Sequence, residues 1–206
     1  KPYSENEEDL IKVIVHIKKN VFPWIRINRI IRDIPNQNIL GGNKNVNLHQ
    51  KIINQGIVES SCIRSREAKN NENISSSELF IREYNGVNAT EYFISYESPD
   101  QKILYGFLRL RINHSNDDLI YPELHDCSHV RELHVYGKIV KHNENTNGGH
   151  HQGIGKKLLH FAEELSMDNN IFKVAIIAGV GVRQYYEKQG YHLCKNYMIK
   201  ELHHFN

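Results

Sequence analysis

Only three cysteines, Cys62, Cys127 and Cys194, occur among the 206 residues, and they lie far apart. Such spacing suits neither a disulfide framework nor a cluster motif of neighbouring thiols. No apolar run approaches the ~18 residues needed to cross a bilayer, and no charged-then-apolar signal segment opens the chain. The chain is therefore expected in the cytoplasm, or also in the nucleus, without a membrane partner. An excess of charge is missing too, since 26 Lys and Arg face 24 Asp and Glu for a formal +2. Bulk electrostatics thus makes no case for nucleic-acid binding, and any such case rests on local clusters. No internal repeat is visible. The first residue is Lys1 rather than Met, as a fragment would show.

What is present is a globular composition, 39% hydrophobic and 24% charged, able to bury one sizeable core or two small ones. Ser4-Glu5-Asn6-Glu7 has capping-box spacing before Leu10, Ile11, Ile14 and Ile17, which read as a helix face ended by Pro23. From Trp24 to Glu67 come an Arg/Ile stretch, a Gly41-Gly42 loop and a short helix near Leu48 to Asn54 closed by Gly56. Lys69 to Glu78 (KNNENISSSE) is polar and marks a domain boundary, with 1–68 on one side and 69–206 on the other. Glu91 to Tyr96 and Ile103 to Arg111 flank the turn Ser98-Pro99-Asp100-Gln101 and read as an antiparallel hairpin. Asn113 to His129 is a long insertion, and Lys141 to Gly149 is a polar loop.

The most informative run is His150-His151-Gln152-Gly153-Ile154-Gly155, followed at once by an amphipathic stretch from Lys156 to Met167. Leu158, Leu159, Ala162 and Leu165 share one face of a helix, while Lys156, Lys157, Glu163 and Glu164 lie toward the other. Glycines at a helix start leave backbone N–H groups uncovered, a cradle for a pyrophosphate that makes coenzyme A the leading candidate ligand. A plain strand-to-helix turn is the competing reading of a glycine pair. Upstream, Val130 to Gly137 (VRELHVYG) is β-prone, and Phe172 to Ile177 downstream is a buried strand. After Ala178-Gly179-Val180-Gly181, the segment Arg183 to Tyr191 reads as a short helix capped by Gly190, and a last strand runs through Tyr197 and Ile199.

The glycine loop resembles the Q/R-x-x-G-x-G/A pyrophosphate loop of GNAT acyltransferases, and Tyr-Tyr-Glu-Lys-Gln-Gly-Tyr resembles their tyrosine-bearing helix. VRELHVYG, Ala178 to Tyr191 and Arg32-Asp33-Ile34-Pro35 are similar, more narrowly, to the family of Elongator catalytic subunits, in which a GNAT domain follows a radical S-adenosylmethionine domain. This resemblance runs from about Phe22 to Lys200. It implies an α+β GNAT fold: a mixed, mostly antiparallel sheet, splayed at an acetyl-CoA site and flanked by helices. Residues 1–68 are then the tail of the radical domain with its connector, and 69–206 the GNAT acetyltransferase domain. The thiols that would hold the family's iron–sulfur cluster are absent here, so the cluster and S-adenosylmethionine are expected only in the full-length protein. Where the family often has a zinc-binding C-x-C-x-x-C-R-E stretch, this chain has Ser60-Ser61-Cys62-Ile63-Arg64-Ser65-Arg66-Glu67, which argues against a structural zinc. His125-Asp126-Cys127-Ser128-His129 has ligand types at alternate positions but lacks four convergent donors, and no metal site is assigned.

By the same resemblance, Glu132, Leu133, His134 and Val135 offer strand backbone to the pantetheine. Gln152, Gly153, Ile154, Gly155, Lys156 and Lys157 form the phosphate loop and first helical turn. His150 stands where the loop pattern has Gln or Arg, which removes a long side-chain donor. Tyr186 matches the tyrosine beside the thioester sulfur and is the expected catalytic residue, as a hydrogen-bond donor to the departing thiolate. Tyr185 points about 100° away on a helix and cannot share that task. It is read as a packing residue. His134 is open between a general base and a structural histidine.

Arg26, Arg29 and Arg32 beside Trp24, with Arg64 and Arg66 near Cys62, suit phosphate binding and base stacking, against the alternative of a solvated charged face. What the resemblance implies is an acetyl-CoA-dependent enzyme that modifies the wobble uridine of tRNA at carbon 5, with tRNA and other Elongator subunits as partners. Two other readings remain: a protein lysine (histone) N-acetyltransferase, and a non-catalytic acetyl-CoA- or tRNA-binding module.

Overall fold

The computed structural model describes residues 6–28, 36–38, 40–42, 48, 52, 60–69, 74–136 and 153–203. The chain divides into two compact units, Lys1–Glu67 and Ala68–Asn206.

In the first unit, helix α1 spans Glu7–Asn20. Its N-cap is Asn6, whose side chain accepts from the Asp9 N–H at 3.4 Å, so the cap lies two residues beyond the Ser4 of the capping-box reading. Three acids in the first turn and Lys18 and Lys19 in the last complement the helix dipole. The helix stops before Pro23, which disfavours helical backbone in the residue preceding it. Leu48 and Ile52 are helical and buried, while the rest of that expected helix and Arg32–Pro35 lie outside the described residues. A single helical turn, α2, covers Ile63–Arg66. Arg66 is only 5% exposed, and its guanidinium donates to the Ser61 and Pro23 carbonyls at 2.8 Å each, tying the turn to the end of α1's connection.

The second unit is built on seven strands: β1 Glu78–Gly86, β2 Ala89–Glu97, β3 Leu104–Asn113, β4 Ser128–Val135, β5 Lys173–Ile177, β6 His192–Cys194 and β7 Tyr197–Glu201. Their order across the sheet is β1-β2-β3-β4-β5-β7-β6. Every neighbouring pair is antiparallel except β4 and β5, which are parallel because helix α3, Ile154–Asp168, crosses between them. This is the mixed, mostly antiparallel sheet that the resemblance implies.

β1 was not anticipated from its composition. It pairs with β2 through all nine residues and is closed by the two-residue loop Val87-Asn88, with Asn88 at φ 49°. The Asn85-Gly86 dipeptide lies at the paired end of β1 rather than in the loop, and Asn88 supplies the left-handed turn residue. The short β6 was likewise not anticipated.

One face of the sheet buries Tyr92, Ile94, Leu108, Leu110, Val130, Val174 and Ile176 against Leu158, Leu159 and Ala162 of α3. Tyr186 and Tyr191 join the same core from α4, Arg183–Glu187, and the residues after it. On the other face, Leu124 and Cys127 of the 114–127 insertion pack on Ala175 and Ile199. Both helices end on the same device. Asn170 (φ 60°) follows α3 and Gly190 (φ 88°) follows α4, and the residue after each donates back across the turn, Ile171 to Ser166 O at 2.9 Å and Tyr191 to Tyr186 O at 3.1 Å. These are Schellman caps, and the second sets where Tyr186 stands.

Candidate functional site

Three rungs join β4 to β5: Ser128↔Val174, His129↔Ala175 and Val130↔Ile176. Beyond Val130, β4 stays paired to β3 as far as Val135↔Gly106, while its β5-side edge from Glu132 to Val135 has no strand partner among the described residues. The cause is visible in the register. Leu110 pairs with Val130 and Arg109 with Glu132, so Arg131 is an extra residue in β4. A bulge bends its strand and increases the twist. It also turns the consecutive side chains of Arg131 and Glu132 to one face, where they meet Glu91 (2.7 Å) and Arg109 (2.9 Å), while Val130 and Leu133 both keep to the α3 core. An open strand edge of this kind presents main-chain donors and acceptors to an extended ligand.

The N-terminus of α3 stands beside that edge. Lys157 N–H bonds to Gly153 O at 2.9 Å, so the amides of Ile154, Gly155 and Lys156 precede the first helical hydrogen bond. Gly153 supplies no side-chain cap and the first turn holds no acid. The positive end of the helix is therefore uncompensated, the condition for anion binding. Lys156 and Lys157 are exposed there, and the Lys157 ammonium lies 5.9 Å over the Tyr96 ring.

Two glycines permit this close packing. A Cβ at Gly106 would lie 3.0 Å from Ile154 Cγ2 and 3.1 Å from the His134 carbonyl oxygen, so only glycine lets the first residue of α3 rest against β3 and β4 together. A Cβ at Gly155 would lie 3.0 Å from the Tyr185 hydroxyl and 3.6 Å from Val135 Cγ2.

The second contact gives a further position to a residue that packs on the core, as the sequence reading had it. Tyr185, taken there as a packing residue, brings its hydroxyl to the junction of Gly155 and Val135, between the helix start and the open strand edge. Tyr186 is 7% exposed in the core, edge-on to Tyr185 (5.1 Å) and to Tyr191 (6.0 Å). Burial raises the Tyr185 and Tyr186 phenols above their ordinary value, with Tyr185 adding a smaller push on Tyr186. Both therefore keep their proton at neutral pH and are donors.

Of the sequence-predicted ligand residues, Glu132, Leu133, His134, Val135, Gly153, Ile154, Gly155, Lys156 and Lys157 line these two elements. Gln152, with His150, Gly137 and the 141–149 loop, lies outside the described residues. His134 is exposed, lies tilted against Tyr136 at 4.5 Å and stacks on Phe107 at 6.0 Å, with Phe93 continuing the row into the sheet.

The arginine cluster expected near Trp24 is less uniform. Arg26 is held by Glu67 at 2.9 Å and Arg66 is turned inward to backbone carbonyls, so Arg66 is no phosphate ligand; Arg64 is exposed, and Arg29 and Arg32 lie outside the described residues. Trp24 stacks on the exposed Phe22 ring at 4.7 Å and 3°. No described helix is long and apolar enough to cross a membrane.

Comparison with known proteins agrees with this geometry. No protein-family model matches the chain. Elongator complex protein 3 of Schizosaccharomyces pombe is 39% identical over 214 residues, covering 98% of this chain and 39% of that protein. The Homo sapiens protein of the same name is 37% identical over 210 residues, covering 97% of this chain and 38% of the relative. Among solved structures, the archaeal Methanocaldococcus infernus Elp3 lacking its first residues superimposes with a TM-score of 0.78 at 30% identity, over 95% of this chain and 49% of that one. The chain thus spans under two-fifths of the length of these curated relatives and about half of the solved chain.

Proposed function

From a chain related along nearly its whole length to Elongator complex protein 3, we propose an acetyl-CoA-binding acyltransferase unit, residues 69–206, attached to the tail of a radical S-adenosylmethionine domain, residues 1–68. In this reading the pyrophosphate of acetyl-CoA sits on the amides of Ile154 to Lys157. The pantetheine continues the sheet along Glu132 to Val135. The observation that carries it is the parting of β4 from β5 after three rungs, directly beside an uncapped helix start.

The residues divide the work. Gly153 and Gly155 keep the amides uncovered, and Lys156 and Lys157 add charge beside the phosphates. The helix dipole contributes only ~0.3–1 kcal/mol, so the amide hydrogen bonds carry most of that contact. Tyr186 donates to the sulfur of the departing thiolate, a role that needs only the protonated phenol that a tyrosine has at neutral pH. The acetyl group is destined for carbon 5 of the wobble uridine of tRNA. The radical chemistry that forms the new bond belongs to the longer protein, together with its iron–sulfur cluster, S-adenosylmethionine and the other Elongator subunits, in the cytoplasm or also the nucleus.

A second reading, N-acetylation of protein lysines, is favoured by one feature, the exposed His134 at the open strand edge, where it is placed to accept a proton from an amine.

The test is thioester cleavage of acetyl-CoA by the chain, with and without tRNA, comparing Tyr186→Phe and Tyr185→Phe. Binding of acetyl-CoA with cleavage lost in Tyr186→Phe is the expected result. A folded chain that fails to bind acetyl-CoA in calorimetry would refute the proposal. CoA release driven by a lysine peptide and not by tRNA would select the second reading.

A further inference from the structure

On the face of the sheet opposite α3, where β4 leaves β5, Arg111, His129, Val130, Arg131, Ala175, Ile177, Leu124 and Tyr197 line a half-open cavity of about 220 Å³. Two of these eight side chains carry positive charge, and they share one carboxylate. Glu91 Oε1 receives Nη1 of Arg111 at 2.9 Å and Nη1 of Arg131 at 2.7 Å. Glu91 is 3% exposed and has no other cationic partner among the described residues, so the cluster holds one uncompensated positive charge.

The two arginines are not equivalent. Arg111 is spent on structure, with Nε on the Asn113 side chain (2.7 Å) and Nη2 on the Val87 carbonyl (2.7 Å). Arg131 has a 55% exposed side chain, only Nη1 engaged, and four further N–H donors in a planar fork that no described residue occupies. The bulge puts it there. Without the extra residue in β4, a side chain at this position would not share a face with Glu132.

The other walls add no charge. His129 contributes none: Nε2 faces the Leu124 carbonyl at 3.2 Å and Nδ1 faces the Asn113 amide at 3.4 Å, an arrangement that fits a neutral ring donating from Nε2 and accepting at Nδ1. Leu124, Ala175 and Ile177 are apolar, so the half-exposed guanidinium of Arg131 is the group there that can receive an anion.

Resting on the reading of an RNA acceptor, we infer that this cavity is a subsite for a backbone phosphate of the RNA strand that receives the acetyl group. The donor's pyrophosphate and the acceptor's phosphate then lie on opposite faces of the same parted strands, with the gap between β4 and β5 as the passage for the acetyl group. A bidentate guanidinium matches a phosphodiester's two free oxygens, and its single excess charge matches the diester's single negative charge. The same charge disfavours a protonated lysine as acceptor.

The experiment is the affinity of the 206-residue chain for a fluorescent tRNA anticodon stem-loop over a salt series, for the native protein, Arg131→Gln and Arg131→Lys, with acetyl-CoA affinity measured on each. Loss of one phosphate contact should weaken binding across all stem-loop sequences and reduce the slope of log K against log salt by about 1. Arg131→Lys should restore the slope, and acetyl-CoA affinity should hold in all three, which also shows that each variant is folded. An unchanged slope in Arg131→Gln overturns the subsite and leaves the RNA reading standing. A native chain that binds acetyl-CoA but not the stem-loop overturns both.

Discussion

Replacing Gly106 by alanine separates a packing role from a conformational one. Elsewhere inside a strand, alanine in place of glycine stabilises by about 0.5–1 kcal/mol, because glycine has more chain entropy to lose. At Gly106 the new methyl would meet Ile154 Cγ2 at 3.0 Å, the His134 carbonyl oxygen at 3.1 Å and Val135 Cα at 3.4 Å. Two of those three contacts are backbone of β4, which is already held to β3 by its ladder and cannot retreat freely. Overpacking of this kind costs roughly 1–3 kcal/mol. A chain of this size loses about 2–4 °C of Tm per kcal/mol, so thermal melts of Gly106→Ala should fall by several degrees rather than rise. The strain pushes the first residue of α3 away from the open edge of β4, so coenzyme A affinity should drop with it. Ile154→Ala alone should cost about 2–5 kcal/mol through the cavity it leaves. The double variant should cost less than the sum, with a coupling of about 0.5–3 kcal/mol, because one methyl fills part of the space the other lost. A Gly106→Ala protein as stable as the parent, or a strictly additive cycle, would refute the close approach of helix start and strand edge.

Lys157→Glu puts an acid in the first turn of α3, which should raise helix stability by about 0.3–1 kcal/mol in a melt while weakening coenzyme A binding in a titration; a matched rise in both would contradict the phosphate cradle. Gly190→Ala forces a side chain into left-handed backbone at φ 88°, so unfolding in urea should show a loss of about 1–2 kcal/mol, and Tyr186-dependent cleavage should decline because the cap that orients it is strained. Burial, ahead of the push from Arg111 and Arg131 and against the pull of the Leu124 carbonyl and Glu91, lowers the His129 imidazole below its ordinary value. The folded chain then takes up this proton at lower pH than the unfolded chain does. Stability tied to His129 is complete above about pH 6.5 and is lost as pH falls through that value toward the folded one. Urea midpoints should therefore decline between roughly pH 7 and 5 less steeply in His129→Gln than in the native protein.

Much of this site could be read before any coordinates, and the reasons are local. The helix from Ile154 and the buried strand ending at Ile177 carry strong periodic or continuous apolar patterns, and Gly190 marks the end of α4 because left-handed backbone favours glycine. Asn6 displaced Ser4 as the cap of α1 because several neighbouring side chains can serve, and tertiary context selects among them. The bulge at Arg131 was invisible, since an extra residue is defined only against the partner strand, and β3 lies some twenty positions upstream. The same holds for Tyr185. Helical phase separates it from Tyr186, but only the approach of Gly155 and Val135 shows which surface it serves. The inward turn of Arg66 depends on the Pro23 and Ser61 carbonyls, and a run of arginines does not announce such partners.

The short ladder between β4 and β5 has a mechanical meaning as well. It divides the sheet into a four-strand plate and a three-strand plate, and the three rungs of that ladder, with α3 bridging above, form the seam between them. Amide exchange along the seam reports whether the two plates part locally or only when the whole unit unfolds. A ligand that threads the gap and bonds to both plates would act as a rivet, raising the protection of Ser128 to Val130 and of Val174 to Ile176 together as occupancy rises.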